Sequence, residues 1–279
     1  MTIERHSDTA HTIKRLVNSR SDEHWMLLLS DVHYDSVYCD RKMLTRHLDL
    51  ALERKASVFL NGDFLDLMGG KYDPRNSLPG GLRPEYRGSD YFDLVIDDAV
   101  KYLSKYKDLL TLYAQGNHET NVRKRQHTDP SARMVAGLQA AGSKVQLGAY
   151  AGWVRWVYQR AGERKSYYMH YHHGYGGNAP RSKGVLGVDL DTARYPDADI
   201  MLRGHDHNKW YVPVSINRIN QRMNQQQRTV HHIRCGSYKQ LPKKGWEVEK
   251  GFAAPRLGGW WVRIYQSEGQ WKEEVQEAS

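Results

Sequence analysis

The chain has 279 residues, 39% of them apolar and 26% charged, which is enough for a sizeable core at an ordinary charge density. No apolar run approaches the roughly 20 residues that span a bilayer, residues 1–20 lack a hydrophobic stretch, and two cysteines (Cys39 and Cys235) cannot build a disulfide framework, so neither a membrane partner nor a secreted scaffold is expected, and a reducing cytoplasm is the expected home. The net charge of +9 favours polyanionic partners such as nucleic acid or nucleotides.

Residues 24–30 (HWMLLLS) read as a short buried strand, followed by a helix over Arg41 to Arg54, where Leu44, Leu48 and Leu52 recur every four residues. Residues 57–61 (SVFLN) form the next strand, so the unit is strand–helix–strand, and both strand ends fall on one edge of a parallel sheet. The Gly/Pro-rich stretch 69–88 interrupts the pattern and reads as an irregular insertion, a candidate lid. A helix resumes near Tyr91, with Val95, Ala99, Tyr102 and Tyr106 on one face, and leads to a strand at 109–114. Asp129-Pro130 reads as an N-cap with proline at N1, opening a helix that stops before Gly142. Residues 153–160 and 165–171 suggest a hairpin, in which Trp153 and Trp156 point to opposite faces and serve packing. Residues 198–203 are a further buried strand, and 229–235 and 259–265 read as strands of a second sheet. The expected organisation is one α/β domain over 23–266, between a polar N-terminal extension (1–22) and an acidic C-terminal tail (267–279).

Metal-ligand residue types recur where the hydrophobic strands end. Asp31 and His33 follow the first strand, Asp63 the second, and Asn117 and His118 the third; His173 closes the hairpin, and His205 and His207 follow the 198–203 strand. Strand ends at one sheet edge converge, so these residues can meet in space. Mixed carboxylate and imidazole donors suit borderline divalent ions such as Mn²⁺, Fe²⁺ or Zn²⁺. If the segments are extended, Asp31 and His33 point the same way, as do His205 and His207. Three histidines compete in residues 170–173; His173, directly before Gly174, is preferred, with His170 or His172 as the alternatives. Isolated histidines near strand ends are usually surface residues, and that reading applies to His6, His11, His24, His47, His127, His231 and His232.

Taken in order, Asp31-Val-His33, Gly62-Asp63-Phe-Leu-Asp66, Gly116-Asn117-His118-Glu119, His173-Gly174 and Gly204-His205-Asp-His207 resemble the motifs of the calcineurin-like metallophosphoesterases. The resemblance implies a four-layer metallophosphoesterase sandwich, two mixed β-sheets flanked by helices. It also implies two divalent metal ions, Mn foremost, with Fe or Zn as alternatives. One ion falls to Asp31, His33, Asp63 and His207, and the other to Asp63, Asn117, His173 and His205, with Asp63 bridging and a metal-bridging hydroxide as nucleophile. His118 takes the role of catalytic histidine, and Glu119 or Asp66 that of orienting neighbouring imidazoles.

Asp66-Leu67-Met68 stands where the family's phosphoprotein phosphatases carry Asp-Arg-Gly, and His118 stands where its lipid A pathway pyrophosphatases typically carry arginine. Both departures point towards phosphodiesterases, nucleases or general phosphatases, and the whole is similar to phosphoesterases predicted from bacteriophage genomes. Arg123, Lys124, Arg125, Arg181 and Lys183 follow ligand motifs and read either as grips for substrate phosphate or as a solvated rim. The leading expectation is a phosphodiesterase acting on DNA, RNA or nucleotides; the alternatives are a small-molecule phosphomonoesterase and a non-catalytic metal-binding protein.

Overall fold

The computed structural model describes residues 1–17, 19, 21–69, 81–160, 163–176, 182–241 and 254–278. The chain begins β1 (Thr2–Ser7), β2 (Ala10–Leu16), β3 (His24–Leu29), α1 (Arg41–Glu53), β4 (Ser57–Asn61), α2 (Tyr91–Ser104), β5 (Leu110–Ala114), α3 (Asn117–Gln126) and α4 (Pro130–Ala140). It continues β6 (Gln146–Gly148), β7 (Ala151–Arg160), β8 (Glu163–His172), α5 (Val188–Arg194), β9 (Ile200–Arg203), β10 (Trp210–Ile219), β11 (Gln225–Arg234), β12 (Trp260–Ser267) and β13 (Gln270–Glu277).

These elements build two mixed sheets flanked by helices. One sheet has the order β13-β12-β3-β4-β5-β6 and the other β1-β2-β7-β8-β9-β11-β10. In the first, β3, β4, β5 and β6 run parallel; in the second, β8, β9 and β11 do. The sheets pack face to face through Met26, Leu28, Phe59 and Leu112 on one side and Ile13, Trp156, Met169 and Leu202 on the other. Leu27, Leu29, Val58 and Leu60 point the opposite way, into a second core shared with the helices through Leu44, Leu48, Val95, Ala99 and Leu138. Because both faces of β3 and β4 are covered, their sequences are continuous apolar runs rather than alternating ones.

Local sequence explains where α1 and α4 begin. Asp40 caps α1 by accepting from Met43 N–H at 2.9 Å, and Asp129 caps α4 through Ala132 N–H at 3.0 Å, with Pro130 at the first helical position. On α1 the four-residue leucine row drifts off the core. Ala51 is fully buried and Leu52 is 44% exposed, because a strict spacing of four advances faster than the 3.6-residue turn.

Several expectations need correction. The polar N-terminal segment and the acidic tail are not projections from the domain. They form β1 and β2 in one sheet and β13 in the other, with Ile13 in the inter-sheet core and Trp271 and Val275 packed against it. β1 and β13 are edge strands, where charge on the outer positions blocks further pairing; their polarity is edge composition. The stretches 229–235 and 259–265 fall in different sheets, as β11 and β12. Trp156 is in the inter-sheet core, whereas Trp153 packs beyond the opposite face near Met201 and Val230. His11, His47, His231 and His232 are buried rather than on the surface. For three of them burial is compensated by hydrogen bonds: His47 to Tyr238 Oη (2.6 Å), His231 to Tyr211 Oη (2.8 Å) and His232 to Thr192 Oγ1 (2.8 Å).

The outer layers are unequal. α1, α2 and α4 cover the six-stranded sheet, while the short α5 lies against the seven-stranded one, joined through Thr192 to His232 and Asp191 to Arg203. Of the 69–88 insertion, residues 70–80 lie outside the described ones, so the lid expectation falls there. Its far end is tied down by Arg83, which donates to the carbonyls of Ser36 (3.0 Å) and Cys39 (3.2 Å).

Candidate metal centre

The C-terminal ends of β3, β4, β5, β8 and β9 open at one edge of the two stacked sheets, and five loops leave there. Strand pairing continues into these loops. Asp31 N–H donates to Gly62 O (3.1 Å), His33 N–H to Asp63 O (3.0 Å) and Gly204 N–H to His173 O (2.8 Å). Two bonds cross between sequence-distant loops: His205 N–H donates to Asp31 Oδ2 (2.9 Å) and His118 N–H to Asp63 Oδ1 (2.9 Å). A β-carbon on Gly116 would collide with the Asp63 carboxylate, which explains glycine there.

Asp31, His33, Asp63, His205 and His207 all have left-handed backbones, with φ of 53°, 51°, 50°, 76° and 57°. The i, i+2 pairs therefore do not sit on extended strand as the sequence reading assumed; each aims at the centre through a tight left-handed turn. Such a conformation costs about 1–2 kcal/mol per residue, and strain of this kind concentrates where side-chain aim is functional.

Two groups result. Asp31, His33 and His207 place donor atoms within 4.8 Å of one another, and so do Asp63, His173 and His205. His33 Nε2 is 3.2 Å from His207 Nε2, which is 3.4 Å from Asp31 Oδ1. Beside them, His173 Nε2 is 3.1 Å from both Asp63 Oδ2 and Asn117 Oδ1, and Asn117 Oδ1 is 2.8 Å from His205 Nδ1. All seven residues expected as ligands thus meet in one cluster. His118 joins it in a third group with His33 and Asp63, its Nε2 3.8 Å from Asp63 Oδ2. The competing His170 and His172 do not join it. His170 stacks on Tyr195 and meets Arg203, and His172 Nδ1 accepts from Gly174 N–H.

Oxygen atoms behind the cluster orient the rings. A carbonyl or carboxylate oxygen can only accept, so the imidazole nitrogen facing it carries the proton. His33 Nδ1 faces Asp66 Oδ1 (2.8 Å), His173 Nδ1 faces Asn61 O (2.8 Å) and His118 Nδ1 faces Asp66 O. Each of these rings turns Nε2 to the cluster. His205 is reversed, with Nε2 facing Gly176 O (2.9 Å) and Nδ1 facing inward.

The donor set fits divalent cations. Asp31 Oδ1 is buried and accepts no hydrogen bond, while ring nitrogens with fixed tautomers converge beside it. Burial favours a neutral Asp31, yet His173 and His207 outweigh it and hold the carboxyl at about 2. Burial likewise lowers His173, but Asp63 and Asp31 lift it to about 10. Two buried carboxylates therefore demand positive charge between them. Burial pushes His33 down to about 4 despite Asp66, which keeps it neutral and able to ligate near pH 7.

Supporting residues divide between those the sequence suggested and those it did not. Asp66 orients His33, as expected. Glu119 orients backbone instead of imidazole: its carboxyl accepts from the N–H groups of Asp63 (3.1 Å), Leu65 (3.2 Å) and Gly116 (3.0 Å). Burial and the Asp63 charge raise Glu119 to about 8. Asp35, Lys239 and Arg234 were not anticipated. Asp35 accepts from Asp66 N–H (2.6 Å), Leu67 N–H (3.0 Å) and Tyr91 Oη–H (2.7 Å), clamping the loop that carries Asp63. Lys239 Nζ is 3.1 Å from Asp66 Oδ1, and Arg234 pairs with Asp206, between His205 and His207. Asp35 had a signal, two residues after His33; Lys239 and Arg234 lie in distant segments without a motif.

The basic residues fall at the rim. Arg123 and Arg125 are exposed in the last turn of α3, roughly 9–12 Å along its axis from Asn117 at 1.5 Å per residue. Arg123 also reaches Asp129 (3.5 Å). Lys183 is exposed, its carbonyl accepting from Trp210 Nε1 (2.8 Å). Arg181 lies outside the described residues.

No protein-family model matches the sequence, and no curated protein does. Similar solved structures include Vps29 from Entamoeba histolytica complexed with Zn²⁺ (12% identity, TM-score 0.37, covering 91% of this chain and 99% of that one). A conserved predicted phosphoesterase from Streptococcus pneumoniae TIGR4 shows 14% identity and a TM-score of 0.31, with 91% and 99% coverage. GAP50, described as the anchor in the inner membrane complex of Plasmodium, shows 11% identity and a TM-score of 0.46, with 92% and 85% coverage. Similarity at this level carries no argument, and the fold and chemistry rest on the strands and donors this chain itself brings together.

Proposed function

We propose that the chain is a metal-dependent phosphoester hydrolase of the calcineurin-like kind, acting on phosphodiesters of nucleic acid or nucleotides. The observation that carries the reading is the pair of adjacent donor groups, Asp31/His33/His207 and Asp63/His173/His205, with Asp63 also grouped with His33 and His118, and Asn117 Oδ1 against His173 and His205. One ion would be held by Asp31, His33, Asp63 and His207, the other by Asp63, Asn117, His173 and His205. Divalent cations held there supply an activated water and neutralise charge on the phosphoryl oxygens.

The chain's own groups supply the rest. His118, with Nδ1–H held by the Asp66 carbonyl, presents Nε2 toward the cluster; as an imidazolium it delivers the Nε2 proton to the leaving oxygen and is left as the neutral Nδ1–H tautomer. Asp66 and Asn61 fix the His33 and His173 rings, so little reorganisation is needed when ligands bind. Asn117, His205 and His207 are half-buried whereas Asp31, His33, Asp63 and His173 are buried; substrate therefore approaches over the first three. The net charge and the exposed Arg123, Arg125 and Lys183 favour a polyanionic substrate.

The test is an assay of metal-stripped protein with Mn²⁺ restored, against a chromogenic diester, a chromogenic monoester, single-stranded DNA and duplex DNA. Metal-dependent cleavage of diester and DNA is the expected result, with DNA binding that weakens steeply as salt is added. Cleavage of the monoester alone moves the substrate to small phosphomonoesters, and no metal-dependent turnover on any of the four rejects the hydrolase.

A further inference from the structure

Tyr175 stands at the open side of the centre with its backbone fixed and its ring in solvent. The segment Gly174–Gly176 is held at three points. Gly174 N–H donates to His172 Nδ1 (2.9 Å), Tyr150 Oη–H donates to Gly174 O (2.8 Å), and His205 Nε2–H donates to Gly176 O (2.9 Å). Gly174 has φ of 137°, and a β-carbon there would lie 2.5 Å from His205 Cβ, so the loop is seated directly on a metal-ligand candidate.

The ring between these anchors is 73% exposed. It is propped by the edge of His172, with ring centroids 5.5 Å apart at 76°, and His172 in turn stands at 90° to Tyr150. A large aromatic face held by its backbone and left to water loses little freedom when a planar ligand covers it. Its position selects the ligand. The flanking Gly174 and Gly176 contact His205, one of the half-buried donors over which substrate approaches, so Tyr175 borders the place where a group esterified to the bound phosphate would lie. Lys183 is also exposed, with its carbonyl held by Trp210 at the start of β10, three residues after His207.

We infer that Tyr175 stacks on the nucleobase next to the scissile phosphate, which makes the preferred substrates single strands or nucleotide diesters with an unpaired base. The inference rests on the phosphodiester reading of the centre and adds to it the recognition of a planar base. A base inside a duplex has both faces covered by neighbours, whereas an unpaired one offers a face to the ring.

Two diesters with one leaving group test it, thymidine 5′-(4-nitrophenyl) phosphate and methyl 4-nitrophenyl phosphate, assayed with Mn²⁺. The ratio of kcat/KM for the first over the second should fall about tenfold in Tyr175→Ala, through KM, and should be kept in Tyr175→Phe, as expected for ring stacking. Equal losses on both diesters in Tyr175→Ala, or a Tyr175→Phe variant as poor as Tyr175→Ala, overturn the stacking role while leaving the hydrolase intact. Wild type that cleaves neither diester removes the phosphodiesterase reading and this inference with it. Quenching of a 2-aminopurine trinucleotide provides a readout without turnover: it should occur with metal-loaded wild type and be lost in Tyr175→Ala. Undiminished quenching in the variant counts against stacking.

Discussion

At the edge of the six-stranded sheet, Asp31, His33 and Asp63 are at most 1% exposed. Three helices cover that sheet's outer face, and the clamps of Asp35, Asp66 and Glu119 lie behind its loops. At the edge of the seven-stranded sheet, His173 is equally buried, but His205 and His207 are half-open, and among the described residues the outer layer there is the short α5. Apart from the half-buried Asn117 after β5, the first half of the centre is therefore clamped and dry, and the second meets solvent. The difference follows from cover: where helices exclude water, charges must be paired and rings held, and where cover is thin, donors can receive a ligand. Metal retention should depend on the first half, and substrate handling on the second.

The largest expected effect is on the dry side. Asp63→Ala removes the carboxylate that groups with His33 and His118 and also with His173 and His205, and should lower metal-dependent turnover by about 10³-fold or more; near-wild-type kcat in that variant would break the comparison. His118→Ala should cost about 10²–10⁴-fold on a diester with a poor leaving group, and much less when the leaving group is 4-nitrophenolate, which needs no proton. Equal losses on both would mean that His118 serves as a ligand instead. Asp66→Asn leaves the ligands in place but weakens the hold on His33, and a loss of about 10–100-fold in metal affinity is expected by titration calorimetry. An unchanged affinity would show that the ring is held by packing alone.

The smallest effect concerns stability outside the centre. Burial lowers His11 and His232 to about 4 and His170 to about 3. In the folded state these rings stay neutral below the unfolded value near 6.5, so the unfolded chain binds more protons as pH falls from 6.5 towards 4, and stability is lost over that window. His173, raised to about 10, works in the other sense: its contribution is complete below 6.5 and is lost as pH rises through 10. The acid limb therefore reports the buried neutral rings. The melting temperature of metal-free protein should drop by roughly 5–10 °C between pH 7 and pH 5, and a His232→Gln variant should drop less. A flat acid limb would show that these rings take protons within the fold.

Much of this was present in the order of residues. Short apolar runs at 24–29, 57–61 and 200–203, too brief for helices, read as strands covered on both faces, and a ligand-type residue after each run places the donors at one edge. The caps at Asp40 and Asp129 and the separation of Trp153 from Trp156 are local effects of one residue on its neighbours, and local effects are carried by sequence. Tertiary structure decided what depends on distant partners. β1 and β13 look like tails because edge strands are polar; only their pairing with β2 and β12 reveals them. His47 and His232 look like surface residues because their partners, Tyr238 and Thr192, are 191 and 40 positions away. Periodicity could not announce the left-handed turns at Asp31, His33, Asp63, His205 and His207, since they are imposed by loops that bond across two sheets. Sequence determined which chemical groups reach the edge; the packing of two sheets decided how they are aimed, which of them are buried, and which side stays open.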